Sequence, residues 1–80
     1  MAKATFKNVR NLVADTLGVK KEEITPQSRL IKDLKADSLT LVELTMAVED
    51  EYNIEIPDED TNKIGTVQEM INYLNERLNQ

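Results

Sequence analysis

The chain has 80 residues, ten Lys and Arg against fifteen Asp and Glu, a net charge of −5, and neither histidine nor cysteine. That length allows one small domain with a modest core, expected over residues 1–80, and 40% hydrophobic with 31% charged residues is the balance of a water-soluble globule. Without cysteine there is no disulfide framework, thiolate zinc site or thiol nucleophile, and without histidine the usual general base is missing, so the chain is not expected to be an enzyme or to hold a metal.

Met1 to Lys7 lacks the apolar core of a signal peptide, and no apolar run approaches the length that spans a bilayer, so no membrane insertion and a cytoplasmic location are expected. Phe6, Val9, Leu12, Val13 and Leu17 form a one-sided helical stripe, and Gly18 follows as a left-handed stop. Between Val19 and Ala36 the pattern breaks. Thr25-Pro26-Gln27-Ser28 is turn chemistry, and Ile24, Leu30 and Leu34 are too irregularly spaced for one helix face, which predicts a long loop pinned by apolar anchors.

Ser38 to Tyr52 predicts a helix with two apolar faces. At 100° per residue, Leu41, Leu44, Thr45, Val48 and Tyr52 share one arc, the natural core face, while Leu39, Val42 and Met46 lie nearly opposite among Glu43, Glu49 and Asp50. Such a mixed stripe is either covered by another element or left open for a partner. Asn53 to Pro57 ends this helix, because proline disfavours a helical residue before it. Pro57 to Ile64 predicts a short acidic helix or turn closed by Gly65. Thr66 with Glu69 then forms a capping box ahead of the stripe Val67, Met70, Ile71, Leu74 and Leu78. The expected fold is all-α, a small four-helix bundle with three long helices, one short helix and a long first loop.

Charge divides the chain. Residues 1–35 carry eight Lys and Arg against four acids, whereas residues 36–80 carry two against eleven. An acidic surface of that kind repels phosphate backbones and attracts basic protein patches, so nucleic acid is not an expected partner.

Ser38 is one of only two serines. Asp37 and Ser38 both suit a helix N-cap, and a capping serine does nothing beyond satisfying backbone donors. Asp37 can serve alone, however, and the adjacent stripe of Leu39, Val42 and Met46 has no evident structural role. A helix N-terminus favours an anion on the Ser38 oxygen. Activation would have to come from a separate enzyme, since an unassisted serine is a weak nucleophile.

Asp37-Ser38-Leu39 before Val42-Glu43-Leu44 and Met46-Ala47, followed by Glu49-Asp50-Glu51-Tyr52 and Glu55-Ile56-Pro57-Asp58, resembles bacterial acyl carrier proteins. Leu17-Gly18-Val19, Ile24-Thr25-Pro26 and Thr66-Val67 fall where that family has similar residues, so the resemblance spans nearly the whole chain. It implies a single acyl-carrier domain, a monomer, whose Ser38 receives 4′-phosphopantetheine from coenzyme A in a magnesium-dependent reaction of a phosphopantetheinyl transferase. The arm's thiol would hold growing acyl chains as thioesters for the enzymes of fatty acid synthesis. By the same resemblance, Asp37, Glu43, Glu49 and Asp50 with Leu39, Val42 and Met46 form the docking face for basic patches on those enzymes, and Leu44, Val48 and Tyr52 help to enclose the acyl chain.

Two positions depart from the family pattern. Lys35 stands where glycine is usual, so a different turn into the second helix is expected, and Thr40 stands where an acid is frequent. Rival readings are a specialised carrier for polyketide, amino-acid or D-alanyl groups and, from another class, a calcium-binding or adaptor bundle. For calcium, Asp58, Asp60, Asn62 and Glu69 match positions of an EF-hand loop, but Lys63 occupies the place of its essential glycine.

Overall fold

The first helix begins where a hydroxyl meets its free donors. In the computed structural model, which describes residues 3–79, α1 spans Phe6–Leu17 and Thr5 Oγ1 accepts from the Asn8 N–H at 3.2 Å. Met1, Ala2 and Gln80, the extremes of the expected domain, lie outside the described residues. Gly18 ends α1 at φ 69°, and the N–H groups of Gly18 and Val19 both reach the Ala14 carbonyl.

The segment from Val19 to Ala36 is the predicted loop, with Ile24, Leu30 and Leu34 buried as its anchors. It also contains a 3₁₀ turn at Lys21–Glu23, which is too short to leave any periodicity in the sequence. Ser28 is buried, and its Oγ accepts from the Thr25 N–H at 2.9 Å. The loop is sewn to the start of the last helix: Leu30 N–H donates to Gly65 at 3.0 Å, while Val67 and Gln68 donate to the Ser28 and Pro26 carbonyls at 3.1 and 2.9 Å. First-turn donors of a helix have no partner within it, so these loop carbonyls finish what a side-chain cap alone would leave open.

Helix α2 spans Ser38–Tyr52. It stops at Asn53, four residues ahead of Pro57, because Asn53 takes a left-handed conformation at φ 55°. The stop expected from proline is thus made by asparagine, the residue after glycine best suited to that region. Glu49 Oε2 then accepts from the Ile56 N–H at 2.7 Å, which holds the outgoing chain against the helix. A 3₁₀ helix follows at Asp58–Lys63, and α3 runs over Val67–Leu78 behind the predicted capping box, with Glu69 N–H on Thr66 Oγ1 at 3.1 Å and Thr66 N–H on Glu69 Oε1 at 3.0 Å. The architecture is therefore the expected helical one, three long helices and a short one, with no strand among the described residues beyond a single Arg29 to Thr66 bridge.

α1 packs against both α2 and α3, and the short helix packs on α3. Val9 and Val13 from α1, Leu44 and Val48 from α2, Val67, Met70 and Leu74 from α3, and Leu30 from the loop are fully buried. Each contributes about 1.5–3 kcal/mol over an exposed position. At the edges, Asn75 exchanges two hydrogen bonds with the Ala4 backbone, and the Tyr73 hydroxyl donates to Asp60 Oδ2 at 2.6 Å, fixing the short helix to α3.

Lys35 adopts φ 60°, so the lysine takes the left-handed conformation that glycine would take freely. The hydrogen bond from Ala36 N–H to the Leu30 carbonyl at 2.9 Å closes this turn and outweighs the preference of an L-residue. Lys35→Gly is expected to stabilise the protein by ~1 kcal/mol, less the extra freedom of glycine in the unfolded chain. Thermal denaturation should show a rise of up to about 4–8 °C for that gain; a lower midpoint would show that the strain at Lys35 is smaller than the entropy cost of glycine.

Burial, with the bond to Asp60 second, pushes the Tyr73 phenol up to about 12 from its ordinary 10.0. A raised pKa contributes stability that is complete below the unfolded value and is lost as pH rises between about 10 and 12. Alkaline unfolding of Tyr73→Phe should lack this component, which paired denaturation curves at pH 9 and 11 would reveal.

Candidate functional site

The turn through Lys35 and buried Ala36 delivers the chain to the start of α2, where Asp37, Ser38 and Thr40 divide the work. Asp37 is the N-cap. Its Oδ1 accepts from the Thr40 N–H at 2.8 Å, and Thr40 Oγ1 accepts in return from the Asp37 N–H, also at 2.8 Å. This reciprocal box was hidden in the sequence, because the usual signal places Glu or Gln where Thr40 stands. The backbone bond from Thr40, followed by its hydroxyl, holds the Asp37 carboxyl below the usual carboxylate range.

Ser38 is the first residue of α2, exposed, with its hydroxyl outside that box. Of the two residues suited to capping, Asp37 does it and Ser38 is left over. The start of α3 is closed by loop carbonyls; at α2, among the described residues, no carbonyl from another segment covers the Ser38 and Leu39 amides. An anion esterified to Ser38 Oγ would therefore meet the positive end of the helix, where the Leu39 N–H is shared only with the Asp37 carboxylate. No side chain here can deprotonate Ser38: the chain has no histidine, and the Asp37 carboxylate is engaged by Thr40.

Downstream of Ser38, Leu39, Val42 and Met46 form a ridge with exposures of 68%, 53% and 58%. Glu43 and Asp50 are exposed along the same helix. Among the described residues the single ion pair is Lys63 with Asp60, so Glu43 and Asp50 form no ion pair within the protein. Glu49 is different: it is half-buried, and one carboxylate oxygen holds Ile56. The opposite face is the predicted core face, with Leu44, Thr45 and Val48 buried and Leu41 and Tyr52 half-buried.

The calcium-loop reading does not survive. Asp58, Asp60 and Asn62 lie on the 3₁₀ helix, Asp60 is bound to Tyr73 and Lys63, and Glu69 is folded back onto the Gly65 and Thr66 N–H groups. The Asp60 and Glu69 carboxylates thus face protein donors, not a common centre.

Residues 7–74 match the family described as a phosphopantetheine attachment site. The chain is also similar to an acyl carrier protein of Helicobacter hepaticus, 49% identical over 70 residues that cover 88% of this chain and 92% of that protein.

Because the Asp37 pKa is depressed in the folded state, its contribution to stability is complete above the unfolded carboxylate value and is lost as pH falls through the lowered one. Carboxyl-carbon NMR should show Asp37 titrating below an ordinary aspartate, and Thr40→Val, which keeps the backbone bond and loses the hydroxyl, should raise it part of the way toward normal while lowering the thermal midpoint. An Asp37 titration indifferent to residue 40 would contradict the box.

Proposed function

The chain belongs to the acyl carrier protein family, and we propose that residues 1–80 form a single carrier domain whose Ser38 takes up 4′-phosphopantetheine from coenzyme A. It is a carrier and not an enzyme. In the attachment step Ser38 Oγ bonds to the phosphorus that bears the pantetheine, the pyrophosphate bond of coenzyme A breaks, adenosine 3′,5′-bisphosphate leaves, and the serine proton passes to a base on a magnesium-dependent phosphopantetheinyl transferase. The arm, once attached, supplies a thiol that holds acyl groups as thioesters. What carries this reading is the exposed Ser38 at the start of α2, excused from capping by Asp37 and Thr40 and lying within the matched residues 7–74.

Ser38, Leu39, Val42 and Met46 share one side of α2, so an enzyme working on the arm would lie across the exposed ridge. Asp37, Glu43, Glu49 and Asp50 flank it, the first and third with part of their charge already engaged by backbone donors. Basic patches on the transferase and on the fatty acid synthesis enzymes would be drawn in over distances up to about a Debye length of ~8–10 Å. Affinity would stay weak, because exposed ion pairs contribute only about 0–1 kcal/mol each, and weak binding suits a carrier that must leave each enzyme after one step. The acyl chain would enter between α2 and α3, displacing contacts of Leu44, Val48 and Tyr52.

The protein would act as a monomer in the cytoplasm; none of its described helices is long and apolar enough to cross a membrane. Incubation with coenzyme A and a transferase should add one phosphopantetheine-sized increment to the intact mass, and Ser38→Ala should abolish it. An unmodified native chain would end this reading. Loading the product with acyl groups and offering it to elongation enzymes separates a fatty acid carrier, which should be extended, from one dedicated to polyketide, amino-acid or D-alanyl groups, which should not.

A further inference from the structure

The molecule has a second exposed apolar feature with the opposite charge. Ile31, in the middle of the long loop, is 61% exposed, and it overhangs an apolar-lined groove of about 310 Å³ formed with Ile64, Gly65 and Thr66. Arg29 and Lys32 line the same groove, and neither forms an ion pair among the described residues. Glu69 lines the groove too, so two cations face one acid there, and the carboxylates of Glu69 and of neighbouring Asp33 are each held by backbone N–H groups and not by Arg29 or Lys32 side chains. Asp33 Oδ2 accepts from the Arg29 N–H at 2.9 Å, and Glu69 Oε1 accepts from Gly65 and Thr66, both at 3.0 Å. Gly65 makes the second arrangement possible, since a Cβ there would lie 2.9 Å from Glu69 Oε1.

An isoleucine held by its loop, beside a groove and between two unpaired cations, is the mirror image in charge of the ridge on α2. We propose that this groove is a second docking surface, which accepts an apolar side chain flanked by carboxylates on an enzyme that works on the arm. This rests on the carrier reading and extends it: the partner would touch the carrier at two points, a basic patch on α2 and an acidic patch on the loop. Charge complementarity selects the occupant. A polyanionic surface, whether nucleic acid or an anionic bilayer, is broad enough to come within a Debye length of the surrounding acids as well as of the two cations, and the net charge of −5 then repels it. A local pair of carboxylates on a protein is attracted by Arg29 and Lys32 without meeting that repulsion at full strength. The concave shape also fits one inserted side chain better than a flat surface.

Both ends of the chemistry can be altered without disturbing the core, because Arg29, Ile31 and Lys32 are exposed. The test uses holo-protein whose arm is verified by mass, with the double variant Arg29→Glu, Lys32→Glu and separately Ile31→Asp. KM for the carrier and kcat are measured with the transferase, acyltransferase, condensing synthase, reductases and dehydratase of the same cell. The expected result is a rise in KM of fivefold or more for one or more of these enzymes, with kcat unchanged, larger at low salt, and restored by reversing an acid on that enzyme. Unchanged KM values for both groove variants with every one of these enzymes would overturn the proposal. Failure of the mass increment would instead strike the carrier reading itself.

Discussion

The reciprocal hydrogen bonds between Asp37 and Thr40 are the constraint on which the site depends. A helix must satisfy its first N–H groups, and serine is one of the residues that commonly does so. Here the aspartate takes the task and the threonine returns the bond, so the helix starts securely while the hydroxyl between them stays uncommitted. The same cap lets α2 hold its register, and that register decides which side chains follow Ser38 along the exposed side. Removing the box would loosen the helix start at Ser38 and the ridge together.

The rest of the fold can be seen as support for that helix start. The long loop has little regular structure of its own, yet it contributes buried Ile24, Leu30 and Leu34 to the core and lends carbonyls to the first turn of α3. Fixing the loop at both places fixes the turn at Lys35, and the turn aims α2. The strain of a lysine at φ 60° is tolerated because the hydrogen bonds and buried anchors on either side leave the backbone no alternative. The loop also carries most of the free positive charge near Ile31, while α2 carries free negative charge near Val42. The charge asymmetry visible along the chain thus becomes two distinct patches in space.

Much of this was legible in the residues. Periodicity located all three long helices, Gly18 and the Thr66–Glu69 pair marked their ends correctly, and the two-faced wheel separated Leu44 and Val48 from Leu39, Val42 and Met46 as the structure does. What escaped depended on contacts that no local pattern encodes. Asn53 as the stop of α2, Thr40 as a capping partner, Glu49 as the hold on Ile56 and Ile31 as an exposed residue among buried neighbours are set by tertiary geometry. The left-handed conformation of Lys35 is set the same way, because the surrounding loop overrules the intrinsic preference of an L-residue.

Peptide-level mass spectrometry of the protein taken from its own cells bears most directly on the central claim, because the chain has only two serines and they occupy opposite environments. The account requires the prosthetic arm on the peptide containing Ser38, with Ser28 bare, since Ser28 is buried and bound to Thr25. A peptide carrying Ser38 that is uniformly unmodified, or an arm found at Ser28, would contradict it.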